Sequence, residues 1–126
     1  MLGDADLMAF VPTTDMARAV AFYGGVLGLT ATDRNDFATA FDANGVMLRV
    51  TAVPELTPQA FTVLGWATDD IEAACDRLAA AGVELRRYQG MAQDARGIWT
   101  TPGGDRVAWF GDPDGNTLSL TELARS

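Results

Sequence analysis

The N-terminal part of the chain begins with a short apolar run and continues with apolar positions at helical spacing. Residues 7–11 are compatible with a strand, and Pro12 ends the run. Thr13, Thr14 and Asp15 then offer side-chain oxygens that can cap a helix. The apolar positions that follow form one stripe: Met16, Val20, Tyr23 and Leu27. Gly28 ends this pattern, so a strand is predicted to precede a helix that lies against a sheet.

Three further strands are predicted before the middle of the chain, at residues 29–33, 36–41 and 46–53. Turn-forming residues separate them, among them Asn44 and Gly45. Pro54 and Pro58 then leave little room for a helix or a central strand. Residues 54–59 are therefore predicted to join two halves of the chain.

The second half of the chain repeats the same order of elements. Residues 61–67 are predicted to form a strand, and Asp69 or Asp70 is predicted to cap a helix that ends at Gly82. Three strands follow in the prediction, at residues 83–88, 106–110 and 117–121. Strand, helix and three strands therefore occur twice. This order predicts an α+β fold built from two βαβββ modules, at about residues 5–53 and 60–122.

Composition and charge narrow the class of partner. The 126 residues, of which 48% are hydrophobic, suffice for one domain with its own core. The net charge is −8 and all nine basic residues are Arg, so binding to nucleic acid or to an anionic membrane surface is disfavoured. The chain has no histidine, which removes the commonest general base and the commonest transition-metal ligand.

The N-terminal residues and the cysteine content predict a cytoplasmic protein. The first residues lack the basic region and apolar core of a secretion signal. No apolar run approaches the length of about 18 residues that a transmembrane helix needs. Cys75 is the single cysteine, which excludes an internal disulfide and favours the same compartment.

The turn near the C-terminus carries the most specific pattern. Residues 110–120 read FGDPDGNTLSL, where Pro113 presets φ and Gly115 supplies a positive φ between two β-forming runs. This string resembles the signature hairpin of the vicinal oxygen chelate superfamily, which includes glyoxalases, bleomycin-resistance proteins and extradiol dioxygenases. Residues 15–29 resemble the first helix of the same superfamily. The resemblance covers essentially the whole chain.

The resemblance implies a single glyoxalase/bleomycin-resistance-like domain, residues 1–126, whose two modules form an open, incomplete barrel around a cleft. It also implies metal ligands on the first and last strands of each module, which correspond here to Met8, Arg49, Val63 and Ser119. A thioether, a guanidinium, an aliphatic group and a neutral hydroxyl do not hold a divalent ion as His and carboxylates do. Residues 86–120 resemble a branch of the superfamily that lacks the metal ligands, so we predict no metal and no other cofactor.

One side-chain parity on every strand is expected to face the implied cleft. The segment 86–105 is longer than a hairpin needs, and it is predicted to form a wall of the cleft. The predicted ligand-binding residues are Met8, Phe10, Met47, Arg49, Phe61, Val63, Tyr88, Trp99, Trp109 and Ser119. Two alternatives stay open: Arg49 points outward as readily as inward, and the two tryptophans either close the core or stack on a flat ligand.

Two classes of function follow from these features. A protein that binds an apolar or aromatic small molecule in a metal-free cleft accounts for the missing metal ligands, the acidity and the aromatic content. The alternative is a lyase, isomerase or dioxygenase of the superfamily. It would be either metal-free, with Asp94, Tyr88, Arg49 or Glu122 as acid, base or anion clamp, or loaded with metal through other carboxylates. We favour the first class, and the resemblance further implies a homodimer.

Overall fold

The computed structural model describes residues 1–125 and divides them into two compact units, Met1–Thr57 and a second unit that begins at Pro58. Each unit contains one four-stranded sheet and one α-helix in the order strand, helix, three strands. The predicted α+β class with two βαβββ modules is therefore confirmed. That the two units make up a single domain stays a prediction. None of the helices in residues 1–125 has the length and apolar character needed to cross a membrane.

The first unit is built on sheet 1, whose strands lie in the order β1-β4-β3-β2 with β1 parallel to β4. Its elements are β1 Met8–Thr13, α1 Met16–Val20, β2 Thr30–Arg34, β3 Ala38–Ala43 and β4 Val46–Ala52. Of the three predicted caps Asp15 is the one used, because its carboxylate accepts the N–H of Arg18 at 3.1 Å.

The helix of the first unit does not continue to Gly28 as one α-helix, which corrects the prediction. After α1 the chain forms a π-helical turn, Ala21–Val26, in which the N–H of Leu27 donates to the carbonyl of Phe22. Gly24 and Gly25 weaken the α-helical preference here. The wider turn buries the adjacent residues Phe22 and Tyr23 together, with their rings 5.2 Å apart in an edge-to-face contact.

One face of sheet 1 packs against α1, and within residues 1–57 no other α-helix is present to cover the opposite face. The hydroxyl of Thr39 donates to the sulfur of Met16 at 3.3 Å, and the rings of Tyr23 and Phe41 lie 6.3 Å apart. The strand residues that point toward α1 form the core of the unit: Val11, Thr39, Phe41, Leu48 and Val50. The alternate residues therefore lie on the opposite side, which we call the helix-free face of sheet 1.

The second unit is built on sheet 2, whose strands lie in the order β5-β8-β7-β6 with β5 parallel to β8. Its elements are β5 Leu64–Ala67, α2 Ile71–Ala80, β6 Trp99–Thr100, β7 Arg106–Gly111 and β8 Thr117–Glu122. Of the two predicted caps Asp70 is the one used, since its carboxylate accepts the N–H of Ala73.

The predicted strand at residues 83–88 is wrong, because the fourth strand of sheet 2 is Trp99–Thr100. Leu85 forms only an isolated bridge with Phe110. After Leu85, the side chain of Gln93 forms hydrogen bonds to the backbone that a neighbouring strand would otherwise form. Its amide accepts the N–H of Tyr88 and donates to the carbonyls of Arg86 and Gly97, at 2.7 to 2.9 Å. The N–H of Tyr88 and the carbonyl of Arg86 are thus satisfied by a side chain and not by a neighbouring strand.

Helix α2 covers one face of sheet 2. The carboxylate of Glu122 on β8 accepts the N–H of Ile71 at the start of α2, which identifies the covered face. Residues of this parity are buried: Ala108, Phe110, Leu118 and Leu120. Trp66 has the same parity and stacks on Phe110 with ring centres 6.4 Å apart. The alternate residues lie on the helix-free face of sheet 2.

Candidate functional site

Three aromatic side chains form a row on the second unit. Trp109 lies on the helix-free face of sheet 2, in register with Ser119 of β8. Its ring is stacked with that of Trp99 at 6.3 Å and meets that of Tyr88 edge to face at 5.4 Å. All three residues are half-buried. This arrangement offers one continuous aromatic surface, which we call the aromatic row, with Trp109 at its centre.

A hydroxyl lies beside the aromatic row in a space that a glycine provides. Ser119 is in register with Gly65 of β5 as well as with Trp109. A Cβ on Gly65 would lie 2.9 Å from the hydroxyl oxygen of Ser119, closer than such atoms approach in proteins. Gly65 therefore leaves room for this hydroxyl, as a glycine inside a strand often does where another group comes close.

A guanidinium group lies in the next row of the same face. Gly111 of β7 is in register with Thr117 of β8, and this is the next pair on the same face after Trp109 and Ser119. The guanidinium of Arg86 covers Gly111, and its Nη1 donates to the hydroxyl of Thr117 at 2.6 Å. Its Nη2 donates to the carbonyl of Gly115 at 3.2 Å. The helix-free face of sheet 2 thus combines aromatic rings with a half-buried positive charge.

The hydroxyl of Tyr88 is buried and has no hydrogen-bond partner among residues 1–125. A buried hydroxyl without a partner costs free energy, because it loses its hydrogen bonds to water. We therefore expect Tyr88→Phe to leave the free energy of unfolding unchanged or to raise it by up to about 1 kcal/mol. Urea denaturation of the two proteins measures this difference. A loss of stability of similar size would mean that the hydroxyl is hydrogen-bonded in solution.

The helix-free face of sheet 1 carries four of the predicted ligand-binding residues. Met8 is in register with Met47, and Phe10 with Arg49. Phe10 is 58% exposed, and both methionines are exposed as well. A cavity of about 210 Å³ on this unit is lined by Met47 and Arg49, together with residues of β2 and β3. Among the described residues the guanidinium of Arg49 has no ion-pair partner.

Two predicted binding residues lie before β5 rather than on it, because the strand begins at Leu64 and not at residue 61. Val63 donates its N–H to the carbonyl of Thr117, so it still lies against β8. The hydroxyl of Thr117 donates to the carbonyl of Gln59 at 2.8 Å, and this side-chain contact replaces strand pairing further upstream. Phe61 lies between these two contacts and is 63% exposed.

The side chains at the four positions where the resemblance implies metal ligands do not supply a donor set that fits a divalent ion. On the first unit these positions are Met8 and Arg49, and on the second they are Val63 and Ser119. Their groups supply one thioether, one cation and one neutral hydroxyl, and no carboxylate or imidazole. Within residues 1–125 no group of three or more His, Cys, Asp or Glu side chains is arranged to hold a metal ion.

The two carboxylates considered for acid–base chemistry are engaged with the backbone. One oxygen of Asp94 accepts the N–H groups of Arg96 and Ile98, both at 2.9 Å. Glu122 accepts the N–H of Ile71 and lies 3.6 Å from the guanidinium of Arg106. Both side chains therefore hold local structure, one in a turn and the other at the start of α2.

A separate groove of about 520 Å³ lies between α2 and residues 82–96. Burial raises the pKa of the Cys75 thiol at its base to about 11, so this group is protonated at neutral pH. The neighbouring Asp76 is hydrogen-bonded to Arg96, which lowers the pKa of the carboxyl. Cys75 is thus a core residue, and its thiol is not an activated nucleophile.

Sequence reasoning missed Arg86 as a residue of this face. Its contact with Thr117 joins residues 31 positions apart, and no local pattern predicts such a contact. A usable signal was present in Gly65, which lies inside the predicted strand 61–67, whereas Gly111 lies just beyond the predicted strand 106–110. A glycine that the backbone conformation does not require indicates that another group approaches the strand there.

The sequence matches the family model described as Glyoxalase/Bleomycin resistance protein/Dioxygenase superfamily over residues 7–120. No curated protein matches it. The fold is similar to the glyoxalase family protein from Enterococcus faecalis, with 16% identity, a TM-score of 0.77 and coverage of 97% of this chain and 100% of the other. It is similar to TnmS3, an antibiotic binding protein from Streptomyces sp. CB03234, with 24% identity, a TM-score of 0.70 and coverage of 98% and 99%. It is also similar to lactoylglutathione lyase from Agrobacterium tumefaciens, with 18% identity, a TM-score of 0.72 and coverage of 94% and 93%. The match over residues 7–120 shows that the chain belongs to the glyoxalase/bleomycin resistance protein/dioxygenase superfamily.

Proposed function

We propose that this protein binds an apolar or aromatic small molecule without a metal ion. The observation that carries the proposal is the aromatic row of Tyr88, Trp109 and Trp99, which is half-buried on a face that no helix covers. A planar ligand gains both apolar burial and ring stacking on such a surface. The exposed apolar side chains of the first unit, Phe10 and Met47 among them, offer a further surface for the same kind of ligand.

The metal-free part of the proposal rests on chemistry at the four positions named above. A metal-dependent member needs ligands that are anionic or neutral Lewis bases, whereas Arg49 is a cation and Val63 has no donor atom. The similar structures include both an antibiotic binding protein and a lyase, so fold alone does not choose between binding and catalysis. The engagement of Asp94 and Glu122 with the backbone favours binding.

The test combines a metal series with one neutral aromatic probe. We expect that Zn²⁺, Mn²⁺, Fe²⁺ and Ni²⁺, added one at a time, leave the melting temperature unchanged. We also expect 1-naphthamide to quench tryptophan fluorescence saturably and to raise the melting temperature with concentration, as mass action requires. Stabilisation that grows with the concentration of one metal would contradict the metal-free proposal. No response to the aromatic probe would contradict the ligand class.

An activity assay tests the alternative hypothesis that the protein is an enzyme. Turnover of a superfamily substrate that Asp94→Asn or Arg49→Ala abolishes would replace the binding proposal, whereas binding without turnover supports it.

We further propose that the protein is a cytoplasmic homodimer, because small members of the superfamily commonly pair. Light scattering at micromolar concentration measures the mass directly.

A further inference from the structure

We propose that Arg86 recognises a carboxylate on the ligand, so that the ligand is an aromatic carboxylate rather than a purely apolar molecule. This inference rests on the proposed function and names the ligand class of the same site. It is carried by the position of the guanidinium, by its unused hydrogen-bond donors and by the glycine beneath it.

The position of Arg86 places a cation next to the aromatic row. Gly111, which the guanidinium covers, is two residues from Trp109 on β7 and shares its parity. The N–H of Arg86 also donates to the carbonyl of Trp109 at 2.8 Å, so the two residues are fixed to each other through the backbone. A ring lying on Trp109 therefore has a guanidinium at its border.

The guanidinium has donors left for a ligand. It has five N–H groups, and its contacts within residues 1–125 are one bond each from Nη1 and Nη2. Both acceptors, the hydroxyl of Thr117 and the carbonyl of Gly115, are neutral. In the part of the chain that the structure describes, Arg86 forms no ion pair with a carboxylate. A half-buried cation without a counter-ion favours an anionic ligand, and a guanidinium fork suits a carboxylate.

The strand beneath the guanidinium is adapted to it. Gly111 lies inside a regular antiparallel pairing with β8 and has no positive φ, so its backbone does not require glycine. A Cβ there would collide with Nη2 of Arg86. The hydroxyl of Ser119, which Gly65 accommodates, lies in the adjoining row as a further neutral donor. Two strand glycines thus open space for polar groups around the aromatic row.

The experiment compares 1-naphthoate with 1-naphthamide, which share a ring system and differ in charge. Isothermal titration at neutral pH gives both dissociation constants. A hydrogen bond to a charged group is stronger than one to a neutral group, so we expect the wild-type protein to bind 1-naphthoate about tenfold more tightly. The readout is the ratio of the two constants, which a change in overall stability does not move.

Three variants test whether Arg86 causes the preference for 1-naphthoate. Arg86→Gln removes the charge and should bring the ratio close to one while 1-naphthamide still binds. Gly111→Ala keeps the charge but displaces the guanidinium, and it should lower the ratio in the same way. The matched control is Arg87→Gln, which removes an equal charge one residue away. Arg87 donates to the carbonyls of Gln93 and Asp94 and is exposed, so the ratio should stay at the wild-type value.

Each outcome decides a different statement. Equal binding of both compounds to the wild-type protein overturns the inference and leaves the proposed function intact. A preference for 1-naphthoate that survives both Arg86→Gln and Gly111→Ala also overturns the inference, because another cation must then bind the carboxylate. If neither compound binds, the proposed function fails and the inference fails with it.

Discussion

Replacing Asp112 with alanine is expected to lower the free energy of unfolding by about 3 to 5 kcal/mol, because three hydrogen-bond donors lose their acceptor together. One carboxylate oxygen accepts the N–H groups of Asp114 and Asn116, at 3.0 and 2.9 Å. The other accepts the side-chain amide of Asn116 at 2.8 Å. Asp112 and Asn116 are only 8% and 3% exposed, so water cannot fully replace these bonds. Urea denaturation measures the loss.

Asp112→Asn gives a graded test of the same network. An amide keeps one oxygen for the two backbone N–H groups but turns its own NH₂ toward the amide of Asn116, so an intermediate loss is expected. The control is Asp69→Ala, whose side chain is fully exposed and lies 3.8 Å from Arg125. Because water and salt screen this exposed pair, its loss is expected to change the free energy of unfolding far less than Asp112→Ala does. Equal losses in Asp112→Ala and Asp69→Ala would contradict a structural role for this turn.

The turn at Asp112 also shows how far local sequence determines this fold. The carboxylate of Asp112 accepts hydrogen bonds from Asp114 and Asn116, which lie within four residues of it, and Gly115 has φ of +88°, so local sequence determines this part of the turn. The same holds for the helix caps Asp15 and Asp70, because each carboxylate accepts an N–H from the residue three positions later. Such caps and turns could be predicted because the hydrogen bonds that define them join residues close together in the sequence.

The elements that could not be predicted depend on distant or side-chain contacts. Residues 83–88 have the composition of a strand, yet only Leu85 bridges to sheet 2, and the amide of Gln93 bonds to the N–H of Tyr88 and the carbonyl of Arg86 in place of a strand. The strand Trp99–Thr100 is only two residues long and has no pattern of its own. The contact between Arg86 and Thr117 joins residues 31 positions apart and depends on where β8 lies in the fold. These features belong to tertiary structure, where single-sequence periodicity carries no information.

The candidate site likewise has a part that local sequence predicts and a part that depends on tertiary contacts. Strand parity alone brings Met8, Phe10, Met47 and Arg49 onto one face, because alternation within a strand is a local property. The aromatic row needs more, since Tyr88 reaches Trp109 from outside the strands of sheet 2. Sequence reasoning could name both residues as candidates but could not predict that their rings touch.

Trp109→Ala is expected to weaken the binding of 1-naphthamide at least about 30-fold, since truncating a central aromatic residue of a binding surface commonly costs 2 kcal/mol or more. Trp109 is the only member of the aromatic row that contacts both others, so its loss removes the shared surface and separates Trp99 from Tyr88. Isothermal titration of the folded variant, checked by circular dichroism, measures the affinity.

The control for this prediction is Trp66→Ala, which removes an equal side chain from the opposite face of sheet 2. Trp66 stacks on the buried Phe110, so its loss should lower the free energy of unfolding by disturbing the core below α2. Its ring does not belong to the aromatic row, and affinity for 1-naphthamide should therefore stay unchanged. Separate effects, stability for one tryptophan and affinity for the other, would locate the ligand on the helix-free face. Equal losses of affinity in both variants would instead mean that Trp109 acts through the fold and not by contact.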